Sequence, residues 1–271
     1  MSNREMEHLH AIQLMLAEEL KRVCEQNGLQ YFMLAGTMLG AVRHKGFVPW
    51  DDDMDFGMLR SDFDRLVEVF PKQTDGSRFF LQTDRTEKGF AYNYAKIRLL
   101  GTSVKESFSE DVSVTDGIYI DIFPVDRVAD NPLKAILQIR GFWLARNILW
   151  IKCGYGDKQR RKTLVYRLVS ALSVAFPFSF LVKWKYALIS RYQNEDTKRV
   201  IVSDGTYGLK KETFDAICIS ELKMFPFEDT EFPGMVHYEP YLKHYYGDYM
   251  QIPPENERDH HGRLSVDFGD Y

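Results

Sequence analysis

Cysteine is scarce in this 271-residue sequence and follows no recognisable spacing. Cys24, Cys153 and Cys218 are odd in number and far apart. This arrangement fits neither a disulfide framework nor a cysteine-based metal motif. We therefore expect a protein of a reducing compartment, the cytoplasm.

The sequence also lacks repeats, low-complexity tracts and a recognisable secretory leader. Its first ten residues, MSNREMEHLH, contain no apolar segment of the kind that a signal peptide requires. Hydrophobic residues make up 45% of the chain, which supports a sizeable core and argues against intrinsic disorder. The length fits one catalytic domain with an insertion better than two full domains.

Charge is distributed unevenly along the chain. The net formal charge is −4, but residues 132–191 hold twelve lysines and arginines and one acid, Asp157; this window carries +11 and the remainder −15. Such a segment is expected to face an anionic partner. Within it, residues 168–182 are uncharged and are interrupted by Pro177. They are fewer than the roughly 20 apolar residues of a spanning helix. We expect an interfacial segment on an anionic membrane; a buried helix pair with a solvated basic rim is the alternative.

Hydrophobic periodicity predicts a mixture of helices and strands. Apolar residues at helical spacing indicate an amphipathic helix over residues 4–26. Short alternating runs indicate strands, and the remaining periodic segments indicate helices. The predicted strands are 30–35, 53–58, 92–100 and 117–123, and the further helices are a short one ending near residue 42, one from a Ser61 cap to residue 70, and one over 133–151.

An acidic cluster at residues 51–55 is the main chemical feature of the sequence. Asp53 and Asp55 share one face of a predicted strand, about 7 Å apart. Two such carboxylates can bind one or two Mg²⁺ ions together, and like charges this crowded are costly without a counter-ion. A solvated acidic turn and a calcium site are the alternatives, but the calcium-loop pattern is absent. We predict a catalytic Mg²⁺ or Mn²⁺ site.

A two-metal phosphoryl-transfer site needs a further carboxylate. Asp121 is the best candidate, because the isoleucines of its strand alternate with it and are expected to face the core. Asp121 is therefore expected to point into a cleft or solvent. Asp116 and Asp126 are weaker candidates, since acids at strand ends are common turn residues.

Basic and hydroxyl groups around the acids are candidates for binding phosphate. Gly36 lets backbone N–H groups approach a phosphate closely, and Thr37 adds a hydroxyl donor. Lys96 and Arg98 point the same way from their strand, where they would neutralise a diphosphate; an exposed strand face is the alternative. Arg43 begins a basic triplet from which at least one residue is expected to contact phosphate.

Residues 36–58, GTMLGAVRHKGFVPWDDDMDFGM, resemble the signature of the LicD family over more than twenty consecutive positions. Residues 94–98, YAKIR, and 118–126, IYIDIFPVD, are similar to further elements of the family, as are residues 246–262, YGDYMQIPPENERDHHG. The basic window 132–191 is the part least constrained by the resemblance.

The resemblance implies an α+β protein with a polymerase-β-like nucleotidyltransferase fold, in which helices flank a small mixed sheet. Residues 1–131 would form the catalytic core with its N-terminal helix. Residues 132–191 would form a helical basic insertion, and residues 192–271 would complete the catalytic domain.

The resemblance also implies a reaction. LicD-like proteins attach phosphocholine from CDP-choline to teichoic acid or lipopolysaccharide, and relatives use CDP-ribitol. The family's metal carboxylates correspond to Asp53, Asp55 and Asp121, with Asp51 as an accessory acid. We expect a Mg²⁺-dependent transferase that moves phosphocholine, or a related phospho-alcohol, from a CDP-alcohol to a glycan or lipid-linked glycan.

Location and alternative functions complete these expectations. The protein is expected to lie on the inner face of the plasma membrane, and no nucleic acid partner is expected. A nucleotidyltransferase that transfers NMP and releases pyrophosphate is the alternative enzyme. A non-catalytic membrane-bound scaffold is the third hypothesis, and the intact acidic cluster argues against it. Arg258, His260 and His261 would close over the donor or form a structural tail; zinc is not expected there, because further ligands are missing.

Overall fold

The computed structural model describes residues 2–106, 112–156, 158–255, 258 and 263–271. The candidates His260 and His261 therefore lie outside the described residues.

A mixed β-sheet forms the centre of the molecule. Strand β2 (Asp55–Leu59) runs parallel to β6 (Ile118–Val128), whereas the other neighbouring strands of this sheet are antiparallel. One edge of β6 pairs with β4 (Ala95–Leu99) and also with a strand from after the basic window, so chain 192–271 contributes to the same sheet. The strands are β1 (Phe32–Met33), β2 (Asp55–Leu59), β3 (Phe79–Gln82), β4 (Ala95–Leu99), β6 (Ile118–Val128), β7 (Arg199–Val202) and β8 (Thr213–Asp215).

Two smaller pairings lie outside the main sheet. β5 (Ser103–Glu106) pairs with β11 (Arg263–Asp267), which brings the C-terminal segment back to the first half of the chain. β9 (Leu222–Phe227) and β10 (Thr230–Met235) form a hairpin.

Helices flank the sheet, which confirms the α+β class. The first of them begins with a capping box between Ser2 and Glu5 and ends at Gly28, whose left-handed φ of 63° suits glycine. The helices are α1 (Asn3–Asn27), α2 (Ala35–Arg43), α3 (Arg60–Gln73), α4 (Pro132–Lys152), α5 (Lys158–Lys162), α6 (Leu164–Ser173), α7 (Phe178–Ile189), α8 (Leu209–Glu212) and α9 (Tyr238–Tyr246).

The two faces of β6 meet different layers. Ile118, Ile120 and Ile122 are fully buried in the main core, as the alternation predicts, and α1 packs on this side. Tyr119 and Asp121 on the opposite face are also buried. An aromatic cluster from residues 90–94 and the helical insertion continues along that second side of the sheet.

Several predicted boundaries are wrong. The strand expected over 30–35 is limited to β1, because the chain turns into α2 at Ala35. Gly36 and Thr37 consequently lie in the first turn of a helix and not at the end of a strand. The predicted Ser61 cap is also absent, since α3 begins at Arg60 after Leu59 without a side-chain cap.

The uncharged stretch 168–182 forms parts of two helices. α6 and α7 meet at an angle of 105°, and no single helix among the described residues is long and apolar enough to cross a membrane. The bend coincides with Pro177, whose fixed φ and missing N–H stop a helix from continuing. The surface residues of this pair are largely apolar, and we call them the hairpin surface: Leu164, Val165, Leu168, Leu172, Val174, Phe176 and Phe180. Their exposure, 42% to 77%, contradicts a buried helix pair for α6.

A buried ion pair joins α3 to β6. Arg60 donates two hydrogen bonds to Asp126, of 2.8 and 2.7 Å, and both side chains are almost fully buried. Removing one partner leaves an uncompensated buried charge. Asp126→Ala should therefore lower the free energy of unfolding by about 3–5 kcal/mol, measured by urea denaturation.

The matched control is Asp196→Ala, because the Asp196 side chain is fully exposed where it pairs with Arg127. This variant should unfold at the wild-type urea concentration. Equal stability of the two variants would contradict a structural role for the Arg60–Asp126 pair.

Candidate active site

The predicted metal carboxylates meet in one cavity of about 410 Å³. Asp55 is the first residue of β2, and Asp121 is its partner in the parallel register with β6. Asp51 and Asp53 line the same cavity from the segment that precedes β2. The structure thus brings together Asp53, Asp55 and Asp121, which are separated by up to 68 positions in the chain.

Burial and mutual repulsion dominate the electrostatics of these acids. Burial raises the pKa of Asp55 well above its ordinary value, and nearby Asp53 and Asp121 raise it further. Burial also raises the pKa of Asp121 to about 6, although Lys96 opposes the shift. A carboxylate in such surroundings carries a cost that a bound cation would remove.

The donor atoms suit a divalent cation. Asp55 Oδ1 is buried and has no hydrogen-bond partner among the described residues. Carboxylate oxygens of Asp51, Asp52 and Asp53 lie within 4.8 Å of one another. Mg²⁺ and Mn²⁺ prefer oxygen ligands of this kind. The side chains present therefore fit the expected metal.

The two predicted cations of β4 do not reach the cavity wall. Lys96 Nζ lies 3.1 Å from Asp121 Oδ1 and 3.2 Å from the Tyr119 ring centroid, and its side chain is buried. Arg98 is buried as well, donating to Gln82 Oε1 and to the Gly117 carbonyl. Lys96 thus pairs with Asp121, and Arg98 is hydrogen-bonded inside the protein.

Gly36 and Thr37 hold the acidic segment in place. A β-carbon at Gly36 would overlap Asp51 Oδ2, so only glycine allows this carboxylate to pack against the first turn of α2. The Thr37 hydroxyl accepts a hydrogen bond of 2.7 Å from the Asp55 N–H, which fixes α2 to the start of β2. Gly36 lines the cavity, whereas Thr37 does not.

Two arginines supply positive charge to the cavity. Arg43 and Arg258 both line it, with their guanidinium carbons 5.8 and 4.2 Å from the Trp50 ring centroid. Arg43 Nη1 also donates 2.9 Å to the Tyr249 carbonyl. Arg258 was a sequence candidate for covering the donor, and the structure places it in the wall.

An aromatic wall is the part of the site that the sequence did not assign. The density of tyrosine between residues 238 and 249 was its only visible signal, and most clustered aromatic residues are core. Three further acids, Asp204, Glu212 and Asp248, line the cavity from the part of the chain that follows β7. The aromatic residues in the lining are Trp50, Tyr94, Phe123, Tyr207, Tyr241, Tyr245, Tyr246 and Tyr249.

The weaker acidic candidates have structural partners. Asp116 accepts hydrogen bonds from Ser103, Val104 and Lys105, and Asp126 pairs with Arg60. Neither lines the cavity. Asp121 is therefore the third carboxylate that the geometry favours.

Comparison with known proteins finds a family match in the first half of the chain. Residues 28–143 match the family described as LicD/FKTN/FKRP, nucleotidyltransferase domain. This segment is a LicD domain. The predicted LicD relationship and nucleotidyltransferase-type fold are confirmed, and Asp53, Asp55 and Asp121 all lie inside the LicD domain. Arg258 and the C-terminal tyrosines lie outside it.

Individual relatives extend the similarity. The lipopolysaccharide cholinephosphotransferase LicD of Haemophilus influenzae is 26% identical over 245 residues, 88% of this chain and 89% of that protein. The ribitol 5-phosphate transferase FKRP of Homo sapiens is 28% identical over 102 residues, 38% of this chain and 18% of that protein. The uncharacterized protein RP689 of Rickettsia prowazekii is 37% identical over 125 residues, 46% of this chain and 45% of that protein.

Metal binding should be measurable without any substrate. We expect Mg²⁺ or Mn²⁺ to raise the melting temperature of the wild type, because the ion binds the folded carboxylate cluster. Asp53→Asn should remove this rise and leave the metal-free melting temperature unchanged or higher, since it relieves repulsion. Asp196→Asn, on the exposed surface, should keep the full response.

The same titration should depend on pH. Because the pKa of Asp121 is about 6 in the folded protein, a proton bound below that pH must leave before the cation binds. Metal affinity should weaken by up to ~10-fold for each pH unit below about 6. Equal affinity at pH 5 and pH 7, or an undiminished response in Asp53→Asn, would refute the metal site.

Proposed function

We propose that this protein is a Mg²⁺- or Mn²⁺-dependent transferase that moves phosphocholine, or a related phospho-alcohol, from a CDP-alcohol to a hydroxyl of a cell-envelope glycan. The observation that carries the proposal is the meeting of Asp53, Asp55 and Asp121 in one cavity with Arg43 and Arg258. The names of LicD and FKRP both describe transfer of a phosphorylated alcohol, which supports the same reaction class.

The chain's own groups account for binding and proton transfer. A divalent cation on Asp53, Asp55 and Asp121 would supply charge neutralisation to a diphosphate. Arg43 and Arg258 bind the diphosphate oxygens as charged hydrogen-bond donors. Lys96 holds Asp121 in position at 3.1 Å.

Transfer then needs one bond to form and one to break. The acceptor hydroxyl oxygen attacks the phosphorus that carries the alcohol, the bond from this phosphorus to the bridging oxygen breaks, and CMP leaves. The hydroxyl proton passes to a carboxylate of the cluster, and Asp121 takes this role where it is not itself a ligand of the cation.

The aromatic wall favours choline as the alcohol. A quaternary ammonium binds to the faces of aromatic rings, whereas a ribitol chain needs hydrogen-bonding partners. Burial and the nearby carboxylates Asp51, Asp55 and Asp53 raise the pKa of Tyr207 to about 12, which reflects its closeness to the metal carboxylates. Tyr245 donates 2.8 Å to buried Glu212, whose negative charge lies beside the aromatic rings. This wall supports phosphocholine over phosphoribitol.

The hairpin surface supports a place on the membrane. Its apolar residues are exposed, and the exposed cations Lys162, Arg167 and Lys183 lie close to them in the sequence. Each basic residue near an anionic lipid surface contributes about 1 kcal/mol. The protein would lie on the cytoplasmic face of the plasma membrane, where CDP-alcohols and envelope precursors meet.

Product analysis tests the reaction. With Mg²⁺, the wild type should release CMP from CDP-choline in the presence of a glycan acceptor, and more slowly from CDP-ribitol. Arg258→Ala should raise the KM for CDP-choline about tenfold, the value of one lost charged hydrogen bond. Arg65→Ala, an exposed arginine of α3, is the control and should keep the wild-type KM.

Each product points to a different function. Pyrophosphate released from CTP, with no CMP from any CDP-alcohol, would favour the alternative NMP transfer. Membrane binding without release of either product would favour the hypothesis of a non-catalytic scaffold.

Vesicle flotation tests the membrane partner. The wild type should float with vesicles that contain anionic lipid and less with neutral vesicles. Leu168→Asp with Leu172→Asp should reduce flotation, because it places charge on the hairpin surface. Ile217→Asp, at an exposed apolar residue outside the insertion, should float like the wild type. Absence of wild-type flotation with either lipid would remove the membrane from the proposal.

A further inference from the structure

A second and larger cavity lies beside the candidate active site. Its volume is about 1120 Å³. One wall is apolar and comes from the connection between α6 and α7, where Val174, Phe176, Pro177 and Phe178 line it. Residues of α3 and of the segment between β3 and β4 also line it. The metal carboxylates are absent from its lining, so it is distinct from the first cavity.

The second cavity carries unneutralised positive charge. Two of its arginines are paired outside the cavity, Arg60 with Asp126 and Arg85 with Asp64. Its acid Asp84 is neutralised by buried Lys185, at 2.6 Å. Three lining lysines have no carboxylate partner among the residues described here: Lys88, Lys152 and Lys183. Lys152 donates to the Ser173 carbonyl, whereas Lys88 and Lys183 are exposed at the rim.

The apolar wall continues into the hairpin surface. Val174 and Phe176 line the cavity and are also 77% and 42% exposed on the outside. α6 extends the same surface with Leu168 and Leu172. A ligand that enters from this side meets apolar side chains first and lysines next. The arrangement matches an amphiphile with an anionic head.

A thin wall separates the second cavity from the metal carboxylates. Tyr94 lines both cavities. Its neighbour Asn93 lines the second cavity and donates its N–H, at 2.6 Å, to Asp204, which lines the first. The Tyr94 ring centroid lies 5.4 Å from Lys96 Nζ, the group that pairs with Asp121. A molecule bound in the second cavity therefore lies next to the reacting groups.

We propose that the second cavity binds the lipid-anchored, phosphate-bearing end of the acceptor. Lys88 and Lys183 hold the phosphate, the α6–α7 connection packs against the lipid chain, and the glycan passes Tyr94 toward Asp121. The acceptor role rests on the proposed function, whereas the binding of a lipid phosphate can be tested alone.

Calorimetric titration with soluble amphiphiles tests the binding. Below its micelle concentration, octyl phosphate should bind the wild type at least ~10-fold more tightly than octyl glucoside or inorganic phosphate, because only octyl phosphate uses both the lysines and the apolar wall. The double variant Lys88→Ala/Lys183→Ala should lose about tenfold in affinity for octyl phosphate and keep its affinity for octyl glucoside. Lys72→Ala, an exposed lysine of α3, is the matched control.

Two results would overturn the assignment of this cavity. One is octyl phosphate binding no tighter than octyl glucoside, and the other is unchanged octyl phosphate binding in the double variant with an unchanged melting temperature. Kinetics separates the two proposals. CMP release with water as acceptor should be unaffected in the double variant, while its KM for a lipid-linked glycan phosphate should rise. Failure of CMP release in the wild type would defeat the proposed function and leave the octyl phosphate result standing.

Discussion

Repulsion between buried carboxylates is the constraint on which the rest of the structure depends. The parallel pairing of β2 with β6 sets Asp55 beside Asp121, although both are buried and like charges disfavour this position. The fold opposes the repulsion with rigid supports from other elements. Lys96 pairs with Asp121, and Thr37 holds the Asp55 backbone. α1 contributes as well, because fully buried Gln13 donates 2.9 Å to the Asp52 carbonyl. These supports position the acids before any cation binds, as an electrostatically preorganised site requires.

Local periodicity in the sequence predicted which residues share a strand face, but it could not predict which distant segments pack over that face. Alternation along β6 separated Asp121 from the isoleucine core, and Lys96 and Arg98 indeed share the sheet face of Asp121. What no local pattern shows is that chain from after residue 132 covers this face. Under that cover Arg98 bonds inside the protein, and the cations that reach the cavity are Arg43 and Arg258. The tyrosine wall was missed for the same reason, because α9 joins the site from nearly 200 positions away.

The basic window shows a similar limit. Its charge of +11 predicted an anionic partner, but part of that charge has a partner inside the fold. Arg146 donates 2.6 Å to Asp204, and Lys185 pairs with Asp84. The cations left for lipid or ligand are therefore fewer than the sequence count, and they include the exposed Lys162, Arg167 and Lys183. Pro177 divides the apolar run between two helices, α6 and α7, and the connection between these helices lines the second cavity.

The internal ion pairs also connect the helical insertion to the active site. The insertion leaves the sheet at Val128 and returns at Arg199, its register partner, so both ends are fixed at one point of β6. Lys185 donates 3.0 Å to the Tyr92 carbonyl, and Arg146 holds the acid that accepts from Asn93. Both contacts bind the segment that leads into Tyr94, the residue shared by the two cavities. The insertion therefore fixes the wall between the two cavities, because the same buried cations that attach it to the sheet also position residues 92–94.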